Sequence, residues 1–506
     1  MKKYIVCSLL LLCGLSQFSC KKFLDVTPLD KLTGNNFYKN KEDVETVIYD
    51  MSRNFFTKIN ATHYAGAVGE YRAGEVKHQL NTSLAPARRF VEVLGKNDLL
   101  QLLYGNPMPW DFYNFGTLTD WTTYYQVIQS ANILVFNLEQ GIPTLSDKQT
   151  KQYIGEAKFI RCLAYFYLVR LYGDVPYYTK AFYSDAPPRE NMVSVFNKCI
   201  VDLKGSVNDM QWTFSDPALK GVRASKGSVI ALLMNMNMWN AGFDGANASK
   251  YWEETARLGD ELIKSGAYKL MDLKDWNLVM KGRSDESLFE FYRSINYNDA
   301  VNNFASIGDM FLHYPYKRPQ TSFQVSFAYF KAEYMKQIYP EIESDKRKEA
   351  WFENMYANDG DFIMQKYGQN VYASGNQDVN PDNTFLVFRY AESILLCAEA
   401  QANLGRNAEA TTLVNMVRER AEAAPYDGSG SVKDFVFLER SRELIGEGHH
   451  YFDLIRTKRI LSRSWTSNPL TLDQFNRGGW TWPINEAARN NNPYMTLNTY
   501  WLTGGK

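Results

Sequence analysis

Three stretches of the chain interleave aromatic rings with amide and charged side chains, which suits them to bind a polar ligand that has flat apolar faces. They span 70–75, 106–115 and 291–318. Sugars are ligands of this kind, because their C–H faces pack on Tyr and Trp rings and their hydroxyl groups hydrogen-bond to planar polar side chains. We therefore predict these residues as ligand contacts: Arg72, Trp110, Tyr113, Asn114, Tyr292, Tyr297, Asn298 and Tyr314.

Aromatic residues are unusually numerous, since 33 Tyr, 30 Phe and 11 Trp make up 15% of the 506 residues. This exceeds what core filling normally requires, so some rings are expected to face a ligand or a partner. The competing interpretation is that most of them cover a helical scaffold. Pro or Asn neighbours favour exposed turns around Trp110 and Tyr297, which supports the ligand hypothesis at those two positions.

No comparable pattern of residues indicates a catalytic site, a metal site or a cofactor site. His449 and His450 stand between Glu447 and Asp453 and suggest a metal site. Neighbouring side chains on a helix point about 100° apart, however, and helical zinc ligands usually stand four residues apart. The chain has no recognisable nucleophile, phosphate-binding or dinucleotide-binding motif. A glycoside hydrolase, which needs two carboxylates about 5–10 Å apart, stays a remote alternative. We predict no enzyme activity, no cofactor and no metal.

The first twenty residues predict an export signal that ends in an acylation site. Lys2 and Lys3 precede the apolar segment 5–15, which is too short to span a bilayer as a helix. Ser19 precedes Cys20, as in bacterial lipoprotein signals, so we predict cleavage before Cys20 and attachment of lipid to it. The alternative is plain secretion with cleavage near Ser19. Two or three acyl chains would anchor the mature protein stably to a membrane.

Charge and cysteine content argue against other classes of protein. Lys and Arg total 56, as do Asp and Glu, whereas a nucleic-acid-binding protein needs a basic excess. Once the signal is removed and Cys20 is acylated, three scattered cysteines remain, which do not form a disulfide framework. Cys162 and Cys397 lie in apolar helical runs and are expected to be buried thiols.

Apolar residues spaced three and four apart predict a mainly helical chain. The predicted helices span 119–139, 150–172, 224–241, 249–265, 386–404 and 407–422. Short breaks between them imply antiparallel hairpins, similar to tetratricopeptide units but without a strict repeat. The predicted loops span 60–118, 174–191, 268–325, 353–383 and 461–496.

Several charged residues stand inside these apolar helices. They are Glu156, Arg161, Arg389, Glu392, Glu399, Arg418 and Arg420. Because charges are rarely buried alone, we expect these residues to form ion pairs across helix interfaces.

Seven short motifs follow one another along the chain. They are KFLDVTP (22–28), EAKFIRCLAYF (156–166), LYGDVP (171–176), RYAESILLCAEA (389–400), VNMVRERA (414–421), FDLIR (452–456) and WPI (482–484). Each is weak alone, but their joint order over nearly the whole chain resembles the SusD/RagB family of outer-membrane lipoproteins of Bacteroidetes.

The resemblance implies a mainly α fold, in which a tetratricopeptide-like scaffold of helical hairpins, the SusD-like α/α superhelix, carries long irregular insertions. We predict a signal peptide at 1–19, an N-terminal region at 20–220 and a C-terminal region at 221–506 that forms one compact unit with it.

The resemblance also implies a function. Such proteins are lipid-anchored in the outer membrane, exposed at the cell surface and associated with a SusC-like TonB-dependent transporter. They bind oligosaccharides, or peptides in the RagB branch, and they are not enzymes. We therefore expect an oligosaccharide ligand, a peptide as the alternative, a transporter partner and no nucleic acid.

Overall fold

The computed structural model describes residues 37–61, 68–78, 91–100, 119–297, 311–313, 316, 328–357, 362–368, 370–372, 380–490 and 492–504. The predicted signal segment lies outside these residues. So do six of the residues to which the sequence assigned a role: Cys20, Trp110, Tyr113, Asn114, Asn298 and Tyr314.

The described chain is mainly helical, as the sequence predicted. Its α-helices are α1 Lys41–Ala61, α2 Val68–Tyr71, α3 Thr122–Gln140, α4 Asp147–Tyr172, α5 Met192–Lys204, α6 Lys226–Phe243, α7 Ala248–Lys264, α8 Trp276–Lys281, α9 Ala332–Ile338, α10 Arg347–Ala350, α11 Tyr390–Asn403, α12 Asn407–Arg420, α13 Val432–Glu443, α14 His450–Arg456, α15 Leu472–Asn476, α16 Glu486–Asn490 and α17 Thr499–Leu502.

Local sequence signals fix the ends of the long helices. Ser146 and Gln149 form a capping box at the start of α4: the Gln149 N–H donates to Ser146 Oγ, and the Ser146 N–H donates to Gln149 Oε1. Ser225 and Ser228 make the same arrangement at the start of α6. Gly173 follows α4 with a φ of 74°, in the left-handed region that favours glycine, and so ends that helix.

The long helices form hairpins that stack on one another. α3 packs against α4, α6 against α7, and α11 against α12, while α7 also packs against α11 and α13 covers α11. Small buried residues such as Ala398 and Ala402 let these helices approach closely. This arrangement confirms the predicted scaffold of helical hairpins.

Short antiparallel strand pairs connect the helical layers. The strands are β1 Val76–His78, β2 Ser287–Phe291, β3 Ala328–Phe330, β4 Phe352–Glu353, β5 Ile363–Met364, β6 Val371–Tyr372, β7 Asn380–Pro381 and β8 Phe385–Arg389. Within the described chain they pair as β1–β3, β2–β8, β4–β5 and β6–β7.

Two predicted boundaries are wrong at these strands. The predicted helix 386–404 begins only at Tyr390, because the apolar run before it is strand β8. The predicted loop 268–325 contains α8 and β2. A short, fully apolar run fits a buried strand as well as a buried helix, so its periodicity cannot distinguish them.

The charged residues predicted inside the helices do form ion pairs between elements. The pairs are Glu156 with Arg223, Arg161 with Asp202, Glu392 with Arg440, Glu399 with Arg456, Arg418 with Glu439, and Arg420 with Glu443. Arg389 contacts three carboxylates, with nitrogen–oxygen distances of 2.8 Å to Glu286, 2.6 Å to Glu443 and 2.8 Å to Glu447. Burial by itself raises the pKa values of Glu439 and Glu447, but the cations beside them outweigh it and lower both values to about 2.

Two further features concern the thiols and the membrane. Cys162 and Cys397 are buried, free thiols, as predicted, and Cys199 is as well. Among the helices of the described ranges, none combines the length and the hydropathy that crossing a bilayer requires.

Candidate ligand-binding site

Strand β2 positions the part of the predicted site that the structure describes. All five of its residues are buried, and it pairs with β8. Phe289 packs on Phe159 with ring centroids 4.8 Å apart, and Phe291 packs on Phe55 at 5.2 Å. Because the strand is held by the core, the backbone of the residue that follows it, Tyr292, has a fixed position.

Tyr292 is half-buried, and a guanidinium group covers one face of its ring. The Cζ atom of Arg283 lies 3.7 Å from the centroid of this ring, which is a close cation–π contact. Arg283 has a φ of 59°, and its backbone N–H donates to Glu290 Oε1 at 2.8 Å. Its Nε atom is buried and has no hydrogen-bond partner among the residues that the structure describes. Arg283 thus brings a cation beside the ring.

Tyr297 completes a corner of two rings. Its backbone N–H donates to the carbonyl oxygen of Ser294 at 3.0 Å, and the Asn296 N–H donates to Ser294 Oγ at 3.3 Å, so a tight turn follows Tyr292. The rings of Tyr292 and Tyr297 have centroids 6.2 Å apart and planes at 79°. The Tyr297 side chain is 63% exposed. We call Arg283, Tyr292, Asn296 and Tyr297 the tyrosine corner.

A buried carboxyl group lies beneath the tyrosine corner. Ser287 Oγ donates to Glu290 at 2.7 Å, and a side chain at Gly282 would collide with this carboxyl. Burial raises the pKa of Glu290 to about 7, although its hydrogen bonds oppose the shift. Glu290 supports the Arg283 backbone and is 1% exposed, so it belongs to the frame of the site.

The tyrosine corner offers binding groups. An exposed ring can pack on an apolar ligand face, the Asn296 amide can both donate and accept, and the guanidinium donates only.

The imidazoles of His449 and His450 have pKa values lowered by burial to about 3 and about 4. Within the described ranges, three or more His, Cys, Asp or Glu side chains come together nowhere in a way that could hold a metal ion.

The prediction of an exposed loop at Arg72 is wrong. Arg72 is 1% exposed, its Nη1 donates to the carbonyl oxygen of Trp480 at 2.7 Å, and its Nη2 donates to the side chain of Asn97. Its guanidinium also lies 4.5 Å from the centroid of the Tyr451 ring. Neighbouring Tyr71 and Glu75 are buried as well. This arginine joins distant segments of the scaffold, and we do not retain it as a ligand contact.

Two aromatic groups near the end of the third predicted stretch also face inward. His313 is buried, stacks on Tyr329 with ring centroids 3.8 Å apart, and its Nε2 lies 3.0 Å from the carbonyl oxygen of Ala328. The hydroxyl oxygen of half-buried Tyr316 lies within hydrogen-bonding distance of the side-chain oxygens of Glu353 and Gln365. Of the predicted contacts that the structure describes, it therefore brings together Tyr292 and Tyr297.

Arg283 was not among the predicted contacts. Its sequence signal is weak, because a Gly-Arg pair after a helix is common and nothing nearby in sequence points to Tyr292. The contact arises because Arg283 takes a left-handed backbone conformation, which long side chains seldom adopt.

Two family models match most of the chain. One, described as "SusD family", matches residues 289–501, and the other, described as "Starch-binding associating with outer membrane", matches residues 22–232. The tyrosine corner begins at Arg283 and continues into the first of these ranges.

Known proteins of this family share the sequence and the fold. SusD-like protein P38 of Formosa agariphila is 25% identical over 95% of both chains. A solved SusD homolog from Bacteroides thetaiotaomicron is 34% identical, with a TM-score of 0.81 over 91% of this chain and 98% of that one. A solved laminarin binding SusD-like protein is 19% identical, with a TM-score of 0.68 over 91% and 99%. The order of the motifs, the stacked hairpins and these matches agree, and the chain belongs to the SusD/RagB family.

Proposed function

We propose that this protein is a non-catalytic, lipid-anchored protein of the outer-membrane surface that binds oligosaccharides and delivers them to a SusC-like TonB-dependent transporter. Residues of the tyrosine corner contact the sugar, and Trp110, Tyr113, Asn114, Asn298 and Tyr314 stay proposed contacts. Cys20 carries the lipid.

The tyrosine corner is the observation that carries this proposal. An exposed Tyr ring and a second ring at a right angle to it offer two walls to a pyranose, since its C–H face packs on one ring while its edge meets the other. The Asn296 amide and the Arg283 guanidinium supply hydrogen-bonding groups for hydroxyls beside those walls.

Features of the chain and its relatives support the setting. The family description "associating with outer membrane" agrees with the acylation signal that the sequence predicts at Cys20. A relative that shares the fold is described as laminarin binding, which makes β-glucans the first ligands to test.

Isothermal titration of the mature chain with laminarin, starch and xylan oligosaccharides, and with mixed peptides, tests the binding step. We expect one glycan class to bind. Tyr297→Ala should weaken that binding roughly fivefold, because loss of one aromatic stacking contact costs about 1 kcal/mol. Tyr494→Ala is the matched control. Tyr494 is exposed to a similar extent, 62%, but it is not part of the tyrosine corner and lies in the segment beside Pro187.

Other outcomes would favour the alternatives. Binding of peptides with silence across all glycans would replace the oligosaccharide with a peptide ligand. New reducing ends after incubation with a polysaccharide, lost on substitution of one Glu or Asp, would show a glycoside hydrolase and overturn the proposal.

The delivery step needs a test in cells. Affinity purification of the full chain from outer membranes should recover a TonB-dependent transporter encoded beside it, and Cys20→Ala should release the protein from the membrane fraction. Recovery of the wild-type chain alone would contradict the partnership.

A further inference from the structure

A cavity of about 220 Å³ lies between α6, α7, α11, the start of α13 and the end of α14 with the segment that follows it. Its wall includes Gly242, Trp252, Asn403 and Lys458. None of the residues of the tyrosine corner lines it. The cavity is therefore a separate candidate site.

Cationic side chains outnumber anionic ones in the lining of the cavity. Lys433, Arg456, Lys458 and Arg459 line it, against a single carboxylate, that of Glu399. Arg456 is paired with Glu399 at 2.5 Å and with Asp453 at 2.7 Å, and Arg459 is paired with Asp434.

Two of these cations keep their charge available. Lys433 and Lys458 are exposed, and neither forms a salt bridge with any residue that the structure describes. Because the neighbouring arginines are already neutralised, the two lysines give the mouth of the cavity a net positive charge. An anionic group entering there would exchange water for charge-assisted hydrogen bonds.

The cavity also has apolar lining residues. They are Met238, Ala241 and the half-buried Trp252. The Asn403 amide nitrogen donates to the carbonyl oxygen of Glu399 at 3.0 Å, which leaves its side-chain oxygen as an acceptor. An indole, an amide and two cations that line one cavity match a ring that carries both C–H faces and an anionic substituent.

Backbone geometry holds Lys458 at the mouth. Lys458 has a φ of 58°, in the left-handed region, and its N–H donates to the carbonyl oxygen of Ile455 at 3.1 Å. Gly242 touches the Arg456 backbone so closely that any side chain there would collide with the Arg456 carbonyl oxygen. The end of α14 is thus fixed against α6, and Lys458, an exposed residue in a strained backbone conformation, lines the cavity there.

We propose that this cavity binds a single anionic sugar ring, which carries a carboxylate or a sulfate group, with Trp252 under the ring and Lys433 and Lys458 on the anion. The volume suits one ring and not a chain, because pockets for larger ligands usually exceed about 300 Å³. This site is additional to the tyrosine corner, and it would bind acidic sugars whatever glycan the corner prefers.

Titration with glucuronate, galactose 6-sulfate, glucose and inorganic sulfate tests the proposal. We expect the two anionic sugars to bind, glucose to bind much more weakly, and the affinity to fall as salt is added. Lys433→Ala and Lys458→Gly should each weaken binding about tenfold, the loss that one charge-assisted contact carries, and Trp252→Ala about fivefold, the loss that one aromatic contact carries. Comparing the carboxylate with the sulfate sugar identifies which anion the site prefers.

Lys458→Gly separates binding from folding, because glycine adopts a positive φ without strain. This variant should unfold at the wild-type temperature or above it and still lose the anionic sugar. Lys148→Ala, which removes an exposed lysine on α4, should leave binding unchanged.

The two binding sites can be tested independently. Tyr297→Ala should leave glucuronate binding intact, while Lys433→Ala should leave oligosaccharide binding intact. The proposal is overturned if no anionic sugar binds, if the three cavity variants bind normally, or if inorganic sulfate binds as tightly as the sulfated sugar.

Discussion

The Cζ atom of Arg283 lies 3.7 Å from the centroid of the Tyr292 ring, so a guanidinium covers one face of that ring before any ligand arrives. The left-handed backbone of Arg283 aims the side chain there, and Glu290 accepts the Arg283 N–H. A ligand at the tyrosine corner therefore meets the exposed Tyr297 ring and a second ring that the arginine holds in place.

Substitution of Arg283 should separate affinity from stability. Glycine at this position keeps the backbone N–H that donates to Glu290 and relieves about 1 kcal/mol of strain from the left-handed conformation. We expect Arg283→Gly to unfold no earlier than the wild type, yet to bind the oligosaccharide several-fold more weakly because Tyr292 is released. Calorimetric titration and thermal unfolding measure the two effects. Unchanged affinity would show that the guanidinium has no part in binding.

The buried ion pairs should be far more sensitive than the exposed ones. Arg389→Met leaves Glu286, Glu443 and Glu447 without a shared cation, and loss of one partner from a buried network costs about 3–5 kcal/mol. Arg257→Met is the matched control. Its side chain is 56% exposed and pairs within α7, so about 0.5 kcal/mol is expected. Urea denaturation of both variants gives the comparison, and equal losses would contradict the structural role of Arg389.

Arg72 should matter for folding and not for ligand contact. Arg72→Met removes donors from the carbonyl oxygens of Trp480 and Thr481 and from the side chain of Asn97. We expect a loss of about 2–4 kcal/mol in the free energy of unfolding, because the acceptors of Asn97 and Thr481 lose this donor, while the Trp480 carbonyl oxygen keeps the Tyr451 hydroxyl. Titration at a temperature where the variant is fully folded should give the wild-type affinity. A weakened affinity in the folded variant would return Arg72 to the site.

Arg72 also shows where inference from sequence ends. Its partner Trp480 stands 408 positions along the chain, so nothing local distinguishes a buried arginine from a ligand contact. Strand β8 was assigned to a helix for a similar reason, because only its pairing with β2, about a hundred residues away, decides its conformation. The long helices were predictable, since their apolar spacing and caps such as Ser146 are local signals.

The candidate site followed the same rule. Tyr292 and Tyr297 were predictable because they are close in sequence and lie among turn-forming residues. Arg283 was not, because its contact depends on a backbone angle. The cavity beside Lys458 was not predictable either, since its walls come from helices that meet only in the folded chain.

The stability of the protein should respond to pH through Glu70. This carboxyl is 1% exposed and accepts the Gly448 N–H at 2.9 Å, and burial raises its pKa to about 8 despite that bond and the charge of Lys366. The folded chain therefore keeps a proton that the unfolded chain releases above about pH 4.5. As a result, this group lowers the free energy of unfolding as the pH rises from about 4.5 to about 8.

Glu70→Gln removes this titration while it keeps an oxygen that can accept the Gly448 N–H. The measured quantity is the free energy of unfolding of the variant minus that of the wild type. This difference should be near zero at pH 5 and should increase by a few kcal/mol at pH 8.5. Other buried carboxyls such as Glu75 and Glu290 titrate in both proteins, so their effects cancel in the difference. Glu42→Gln, on the exposed face of α1, should give a flat difference across the same range. Urea denaturation at four pH values measures it, and a difference that stays flat for Glu70→Gln would show that this carboxyl ionises normally in the folded chain.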